Sequence, residues 1–333
     1  ILILRINNDL SSELEVSFPG ITKWFKEDIA LELSKIVRAI KLEENIAIRR
    51  FFWVNLAETV RLTSNDRTST FKLHARPAHE IQERNVSSIG EFTRHLKKSI
   101  TDLQHYRNLL CESGQIQDDT YKAKISLKLL DSSRSLIKPN EGFFDLLVTS
   151  PPYGDNKTTV TYGQHSYLPL QWINMDDIDP EADSNLLKST LEIDSRSLGG
   201  KIFQVSSEEL RVMFQRSPTL ETTFNLMSQM SKERINKVMV FFRDLDNVLS
   251  NVFSSMKDNS YQVWTIANRT VGGLEIPNIK ILIDLIESRN GLLVTRVERE
   301  ILNKRMAKRN KNSALMNHED ILIFRKLGCA NPK

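Results

Sequence analysis

Apolar and polar residues alternate with the period of an α-helix through the first third of the chain. Apolar positions recur every three or four residues from Trp24 to Leu42, from Ile46 to Leu62 and from Ser88 to Leu110, which predicts three amphipathic helices. The polar run Thr63–Asp66 interrupts this pattern after the second helix. Residues 23–110 are therefore predicted to be mainly helical.

Short apolar runs follow Gly114. Ile125–Leu130 predicts a strand that ends before Asp131, and Phe144–Thr149 predicts a second strand, apolar enough to be buried on both faces of a parallel sheet. A long apolar stripe then predicts a helix over Ser231–Lys257. The remaining predicted elements are a strand at Gln262–Ala267, a helix at Asn278–Glu287, and strands at Gly291–Val297 and Asp320–Arg325.

This alternation of strands and helices is typical of an α/β fold with a parallel sheet. The last two predicted strands have no helix between them, so they could instead form an antiparallel pair. We expect a mainly helical region at residues 1–120 and an α/β core at residues 121–330, with a variable insertion at about 157–230. A length of 333 residues fits about two domains.

The composition excludes disulfide-rich and membrane-spanning proteins. The chain has 40% hydrophobic and 26% charged residues, which is typical of a globular protein. Its two cysteines exclude a disulfide scaffold, and no apolar run approaches the ~20 residues that span a bilayer. We therefore expect a cytoplasmic protein with no membrane partner. His74 and His79 lack metal-binding partners at useful spacing, so no metal site is predicted.

The strongest candidate for chemistry is the segment Thr149–Asn156, directly after the second predicted strand. Binding sites in open α/β sheets form at the carboxyl ends of strands. Pro151 and Pro152 lack N–H donors and leave carbonyl acceptors beside the Ser150 hydroxyl. Tyr153 adds a flat ring for stacking. Acceptors beside an aromatic ring suit the exocyclic amine of a planar base, whereas a plain turn is the alternative for these residues taken alone.

In this context Ser150-Pro151-Pro152-Tyr153 resembles the catalytic motif of the DNA amino-methyltransferases, which methylate cytosine N4 or adenine N6. Three downstream segments are similar to one branch of these enzymes from bacterial restriction-modification systems: Thr158–Ser166 with Gln171-Trp172, Asn268–Gly273, and Asn303–Met306. The similarity covers residues 120–327. Serine in the first position of the motif is commoner among the cytosine-N4 enzymes, and aspartate among the adenine-N6 enzymes.

The resemblance implies a fold, a cofactor and a substrate. The fold is the Rossmann-like sheet of S-adenosylmethionine-dependent methyltransferases, here incomplete at the N-terminus and carrying a helical insertion. S-adenosylmethionine is the implied methyl donor. Double-stranded DNA is the implied partner, with the target base flipped out of the duplex. The implied catalytic residues are Ser150, Pro151, Pro152 and Tyr153, and the implied cofactor-binding residues are Asp131 and Thr149.

Further polar residues are candidates for contact with the base or with DNA. They are Asp155, Asn156, Asn268, Arg269, Lys304, Arg305, Lys308 and Arg309. The four cations would bind phosphates, and the net charge of +4 permits such a partner without requiring one. Structural turns and a solvated basic loop are the alternatives for these residues, as a solvated strand-end turn is for Asp131.

The donor-binding half of such an enzyme is not visible in the sequence. The family carries a Gly-rich turn after its first strand, but this chain has 12 glycines and no Gly-x-Gly. Its first residues, Ile1–Asn7, resemble the helix after the second strand of the family. We therefore expect that the chain starts just past the cofactor loop or that a second chain supplies this loop, and that the chain alone binds S-adenosylmethionine poorly.

Several interpretations of function stay open. The favoured one is site-specific methylation of cytosine N4, and adenine N6 is the alternative within the same class. A non-catalytic remnant that binds DNA or a partner is an alternative of another class. The missing Gly-rich turn supports this remnant, and the intact Ser150–Tyr153 motif opposes it. Methylation of RNA or protein is disfavoured, because a related motif in glutamine-modifying enzymes starts with asparagine.

Overall fold

A computed structural model describes residues 1–69, 72–127, 129–133, 142–155, 157, 159–200, 204–300 and 318–328. The chain divides into two compact units. We call residues 1–129 with 163–192 the helical unit, and residues 130–162 with 193–333 the sheet unit. Residues 163–192, which we expected in an insertion of the α/β core, therefore belong with the helical unit.

The helical unit is built from amphipathic helices. Its elements are α1 (Leu2–Asn8), α2 (Ile21–Trp24), α3 (Glu27–Lys41), α4 (Ile46–Thr63), α5 (Ala78–Glu83), α6 (Ser88–Glu112), β1 (Ile116–Gln117), β2 (Thr120–Tyr121), α7 (Tyr162–Trp172), α8 (Met175–Ile178) and a short 3-10 helix (Ser184–Leu187). The three helices predicted before residue 110 are confirmed. The first begins at Glu27 rather than at Trp24, because Phe25 is extended and separates α2 from α3.

N-cap side chains stabilise the first turns of these helices, and the apolar face of each helix packs into a buried core. The Asn45 side chain accepts hydrogen bonds from the first free N–H groups of α4, and Ser87 does the same for α6, as expected for N-cap residues. Leu33, Trp53 and Phe92, one on each of α3, α4 and α6, are completely buried in a shared core.

One buried carboxylate joins α4 to α8. Asp177 accepts a hydrogen bond from Arg49 Nη2 at 2.7 Å and another from Trp53 Nε1 at 2.7 Å, and its backbone carbonyl accepts from Arg50 Nε at 2.5 Å. The Asp177 side chain is only 7% exposed. Such a buried charge is tolerated because each oxygen is paired.

The sheet unit contains the longer strands. Its elements are β3 (Phe144–Thr149), α9 (Glu192–Ser195), α10 (Ser207–Arg216), α11 (Pro218–Leu226), a short 3-10 helix (Met227–Gln229), α12 (Lys232–Ser255), β4 (Met256–Ile266), β5 (Arg269–Val271), β6 (Leu274–Ile276), α13 (Asn278–Glu287), β7 (Gly291–Glu300) and β8 (His318–Lys326). The predicted α/β class is confirmed at this level, with the long strands and the buried helices α12 and α13 in one core.

The described residues of this unit form a four-stranded mixed sheet in the order β3-β4-β8-β7. β3 and β4 are parallel, whereas β8 is antiparallel to both β4 and β7. The prediction of an antiparallel pair at the end of the chain is confirmed. The prediction of a parallel sheet holds only for β3 and β4.

Two strand predictions were wrong in part. β3 lies at the end of the described sheet, and Leu146 and Val148 are 57% and 68% exposed, so this strand is not buried on both faces. An apolar run indicates a strand without showing which neighbours cover it. Ile125–Leu130 forms no strand among its described residues, and Leu127 is 92% exposed there.

The β5–β6 hairpin uses the pair Gly272-Gly273. Both glycines have positive φ, 58° and 87°, as a two-residue turn of type I′ requires.

Every helix in the described part of the chain is too short or too polar to cross a membrane.

Replacing Asp177 tests the junction between α4 and α8. Asp177→Ala leaves the Trp53 N–H without its acceptor and Arg49 without its carboxylate partner, so the free energy of unfolding should fall by about 3–5 kcal/mol, measured by urea denaturation. Asp102→Ala is the matched control, because Asp102 pairs with Lys98 at the surface, where such pairs contribute little. A similar fall in the free energy of unfolding in both variants would show that Asp177 does not stabilise the contact between α4 and α8.

Candidate active site

The Ser150–Asp155 segment begins where β3 ends, beside the carboxyl end of β4. Thr149, the last residue of β3, is the register partner of Trp264 in β4. Ser150 is exposed, Pro152 and Tyr153 are half-buried, and the buried residues of the segment are Pro151, Gly154 and Asp155. The predicted catalytic residues therefore lie at the end of the sheet where sites are expected, with the serine accessible and the following backbone held in the interior.

Tyr153 is fixed at both its ring and its hydroxyl. The ring is half-buried against the core of the sheet unit. The hydroxyl donates a 2.6 Å hydrogen bond to Glu319 Oε2 on β8, and Arg299 Nε on β7 donates to the other carboxylate oxygen at 2.8 Å. Arg299 and Glu319 are register partners, so the β7–β8 pair positions the acceptor of the tyrosine.

The protonation states follow from these contacts. Burial, together with the hydrogen bond to Glu319, raises the pKa of Tyr153 far above its ordinary value, and the nearby Ser150 hydroxyl opposes this shift more weakly. For Glu319, burial alone would raise the pKa, but the hydrogen bonds from Tyr153 and Arg299 lower it overall. The phenol is therefore a neutral donor to an ionised carboxylate, and its ring remains the part that can stack on a ligand.

A buried amide connects the chains that leave β3 and β4. Asn278, the first residue of α13, is completely buried and donates from Nδ2 to the carbonyls of Tyr153 and Ala267, both at 2.9 Å. Asn268, predicted as a substrate contact, accepts from the Ile279 N–H at 3.1 Å and donates to Glu275 at 2.7 Å. Both polar atoms of the Asn268 amide therefore make hydrogen bonds within the protein, and one of these bonds caps the start of α13.

Asp155 and Arg269, also predicted as substrate contacts, lie together inside the sheet unit. Their side chains are 5% and 9% exposed, and Arg269 Nη1 is 3.6 Å from Asp155 Oδ2. Desolvation lowers the pKa of Arg269, and Asp155 opposes that shift. The structure brings these two residues together as a buried ion pair at the end of the Ser150–Asp155 segment.

The residues predicted for the methyl donor do not converge. Asp131 Oδ1 accepts hydrogen bonds from the backbone and the hydroxyl of Ser133, and the carbonyl between them accepts from Asn251 in α12. The next turn of α12 binds the chain that enters β3. Asp131 therefore lies toward the amino end of β3, whereas Thr149 and Ser150 lie at its carboxyl end.

The described residues thus form no recognisable cradle for a nucleoside-bearing donor. Such a cradle usually needs a Gly-rich turn at a helix N-terminus, and the described part of the chain has no Gly-x-Gly.

Five predicted site residues lie outside the described residues: Asn156, Lys304, Arg305, Lys308 and Arg309. Their contacts with the base and with phosphates stay predictions.

Glu319, Asn278 and Gly154 belong to the site but were not predicted as functional. Glu319 is 166 residues from its partner Tyr153, and no local pattern links the two. Asn278 looks like an ordinary helix start. A weak signal existed for Gly154, since it directly follows the motif in a chain with few glycines.

Comparison with known proteins finds a relative along most of the chain. The Type II methyltransferase M.MvaI of Kocuria varians is 33% identical over 319 residues, which cover 92% of this chain and 67% of that protein. No family model matches the chain. No solved structure matches it.

The lowered pKa of Glu319 predicts how this residue contributes to stability. A carboxylate with a lowered folded pKa stabilises the fold above its ordinary value of 4.5 and loses this contribution as the pH falls through the folded value. Wild type should therefore exceed Glu319→Gln in free energy of unfolding at neutral pH, and the difference should shrink as the pH falls below about 4.5, measured by urea denaturation.

The exposed Glu221 on α11 provides the control for this experiment. Glu221→Gln should follow the wild-type pH dependence. A difference between wild type and Glu319→Gln that stays constant down to pH 3 would contradict an ionised partner for Tyr153.

Proposed function

We propose that this chain, which belongs to the type II methyltransferases of restriction-modification systems, methylates the exocyclic amine of a base in double-stranded DNA, with cytosine N4 as the favoured target. One observation carries the choice of site. The accessible Ser150 hydroxyl lies beside the Tyr153 hydroxyl, which is itself bound to Glu319. The methyl donor, generally S-adenosylmethionine in this family, supplies an electrophilic methyl group when bound.

The amine needs orientation more than it needs a strong base. The exocyclic nitrogen of cytosine or adenine shares its lone pair with the ring, and acceptors on its N–H groups favour a tetrahedral nitrogen whose lone pair is available. The Ser150 hydroxyl and the Pro151 carbonyl are suited to this role, since within the described residues no donor binds the Pro151 carbonyl. Positioning and fixed dipoles of this kind supply most of the rate enhancement.

The proton that leaves the amine has a short route out. After transfer the nitrogen carries one proton in excess, and the Ser150 hydroxyl accepts this proton while it releases its own proton to water, so the serine ends neutral. This route fits the exposure of Ser150 and needs no buried base.

The Tyr153 ring is proposed to stack on the flipped base. A base inside a duplex cannot reach the Ser150 hydroxyl, so it must leave the stack. Because the phenol is held by Glu319, the ring cannot rotate freely and presents a preformed surface. Preorganisation of this kind reduces the entropy lost on binding.

We also propose that the sheet unit is the Rossmann-like core of the methyltransferase. The parallel pair β3–β4 with the site at its carboxyl ends supports this. A Gly-rich turn outside these 333 residues, in a preceding segment or in a second chain, would then complete the donor side, which accords with the absence of Gly-x-Gly in the sequence. The same absence favours a second candidate function, which is DNA binding without turnover.

Methylated-base analysis tests the proposed function. The purified chain is incubated with S-adenosylmethionine and double-stranded DNA, the DNA is digested, and the nucleosides are quantified by mass spectrometry. N4-methylcytosine is the expected product, and N6-methyladenine would move the proposal to adenine. Retained DNA binding with neither product would favour the second candidate function.

Two substitutions at Tyr153 separate the ring from its hydroxyl. Tyr153→Phe keeps the ring and loses only the bond to Glu319 that holds it, so kcat/KM for DNA should fall much less than in Tyr153→Ala. Tyr153→Ala removes the stacking surface, and kcat/KM should fall by about 5- to 150-fold, the equivalent of ~1–3 kcal/mol.

Tyr261 on β4 supplies the matched control, since its ring is 44% exposed in the same unit. Tyr261→Ala should leave kcat/KM unchanged. Equal losses in Tyr153→Phe and Tyr153→Ala would contradict a stacking role and place the function of Tyr153 in its hydroxyl.

A further inference from the structure

Arg269 is a buried cation beside the Ser150–Asp155 segment rather than an exposed one. It is the first residue of β5, two residues after the buried Ala267 that follows β4. Its side chain is 9% exposed, and its Nε has no hydrogen-bond partner among the described residues. An arginine stays charged even when buried, so this placement carries a desolvation cost that a surface position would avoid.

The guanidinium lies directly against the backbone of Gly154. A Cβ atom at residue 154 would be 1.7 Å from Arg269 Nη1, 2.4 Å from Cζ and 2.9 Å from Cδ. The φ of Gly154 is not positive, so glycine is required here for space rather than for backbone conformation. Only a residue without a side chain lets the cation reach the peptide that directly follows Tyr153.

The other sides of the cation are also occupied. Asp155 Oδ2 is 3.6 Å from Nη1, and Arg269 Cζ is 5.8 Å from the centre of the Phe241 ring on α12, within the range of a cation–π contact. Gly199 closes the space behind this pair. A Cβ on Gly199 would be 3.0 Å from Phe241 Cβ and 3.3 Å from Asp155 Cβ.

We propose that Arg269 is a positioning residue: its buried guanidinium, paired with Asp155 and packed on Gly154, fixes the backbone of the Ser150–Tyr153 segment and thereby the acceptor atoms of the reaction. This inference rests on the proposed function and extends it to a residue that touches neither DNA nor donor. A planar, rigid guanidinium suits this role, because it can lie flat against a peptide and a ring while pairing with a carboxylate.

Buried ion pairs are weak sources of stability, and replacing both partners by neutral residues of similar volume is often tolerated. Asp155→Asn/Arg269→Met therefore removes the pair without leaving one charge alone. The chain offers a control in the same unit: Arg289 and Asp246 form another buried pair, 10% and 6% exposed, with 2.6 Å between Nη2 and Oδ1. Asp246 also pairs with Arg216, whose side chain is 38% exposed, so water can solvate that charge when Asp246 is replaced. The control variant is Asp246→Asn/Arg289→Met.

Two measurements test the proposal on the full chain. In steady-state methylation of DNA, the Asp155→Asn/Arg269→Met variant should lose about 10²-fold in kcat, the expected effect of a small misplacement of reacting groups. KM for DNA should hardly change, because Arg269 does not touch DNA. In hydrogen–deuterium exchange, the amides of Tyr153, Gly154 and Asp155 should exchange faster than in wild type. The control variant should change neither kcat nor these amides.

The outcomes separate this proposal from the proposed function. Equal effects of the two double variants on kcat and on the Tyr153–Asp155 amides would overturn the positioning role, as would a higher KM with unchanged kcat. If wild type methylates no DNA, the proposed function fails. Exchange then decides alone: a selective increase at Tyr153–Asp155 supports the positioning role, and an unchanged rate overturns it.

Gly154→Ala perturbs the same contact from the other side. The added Cβ must displace the guanidinium, so it should reproduce the loss of kcat and the faster exchange. Gly90→Ala is its control, since a Cβ there meets only ordinary contacts at 3.5 Å or more. Wild-type kcat in Gly154→Ala would overturn the proposal.

Discussion

Two parallel strands end side by side in the sheet unit, and the chains that leave them must share one small space. Backbone carbonyls in such a space need donors, because water has limited access to them. Asn278 meets this need with one amide that bonds to the chain after β3 and to the chain after β4. The direction of the Ser150–Tyr153 segment therefore depends on the start of α13, more than 100 residues later in the chain.

Charge reinforces this arrangement in two different ways. Glu319 holds Tyr153 from the partly open side, where Arg299 remains 59% exposed, and this contact orients a side chain. Asp155 and Arg269 act from the closed side and contact the backbone. A segment anchored from both sides keeps its acceptor atoms in place without a ligand, which is what catalysis by positioning requires.

The sequence was most informative where a pattern is local. Phe144–Thr149 and Asn278–Glu287 begin and end as predicted. The Ser150–Tyr153 motif follows the carboxyl end of β3, as the sequence also predicted. Properties that depend on neighbours were missed. The exposed side chains of Leu146 and Val148 reflect what does not pack on β3, and the burial of Arg269 reflects a gap left by Gly154. Residue type alone identified Arg269 as a cation, but a cation can bind phosphate at a surface or pair with a carboxylate in a core.

The contact between α4 and α8 has a practical consequence for dissecting the protein. Asp177 follows the Ser150–Tyr153 segment in the chain, yet its carboxylate binds Arg49 and Trp53 in the helical unit. The helical unit is thus assembled from two separate stretches of sequence. A fragment cut after Leu129 would expose the indole N–H of Trp53 and the apolar surface that normally covers Trp172, so an expression boundary drawn from sequence alone would yield a poorly soluble piece.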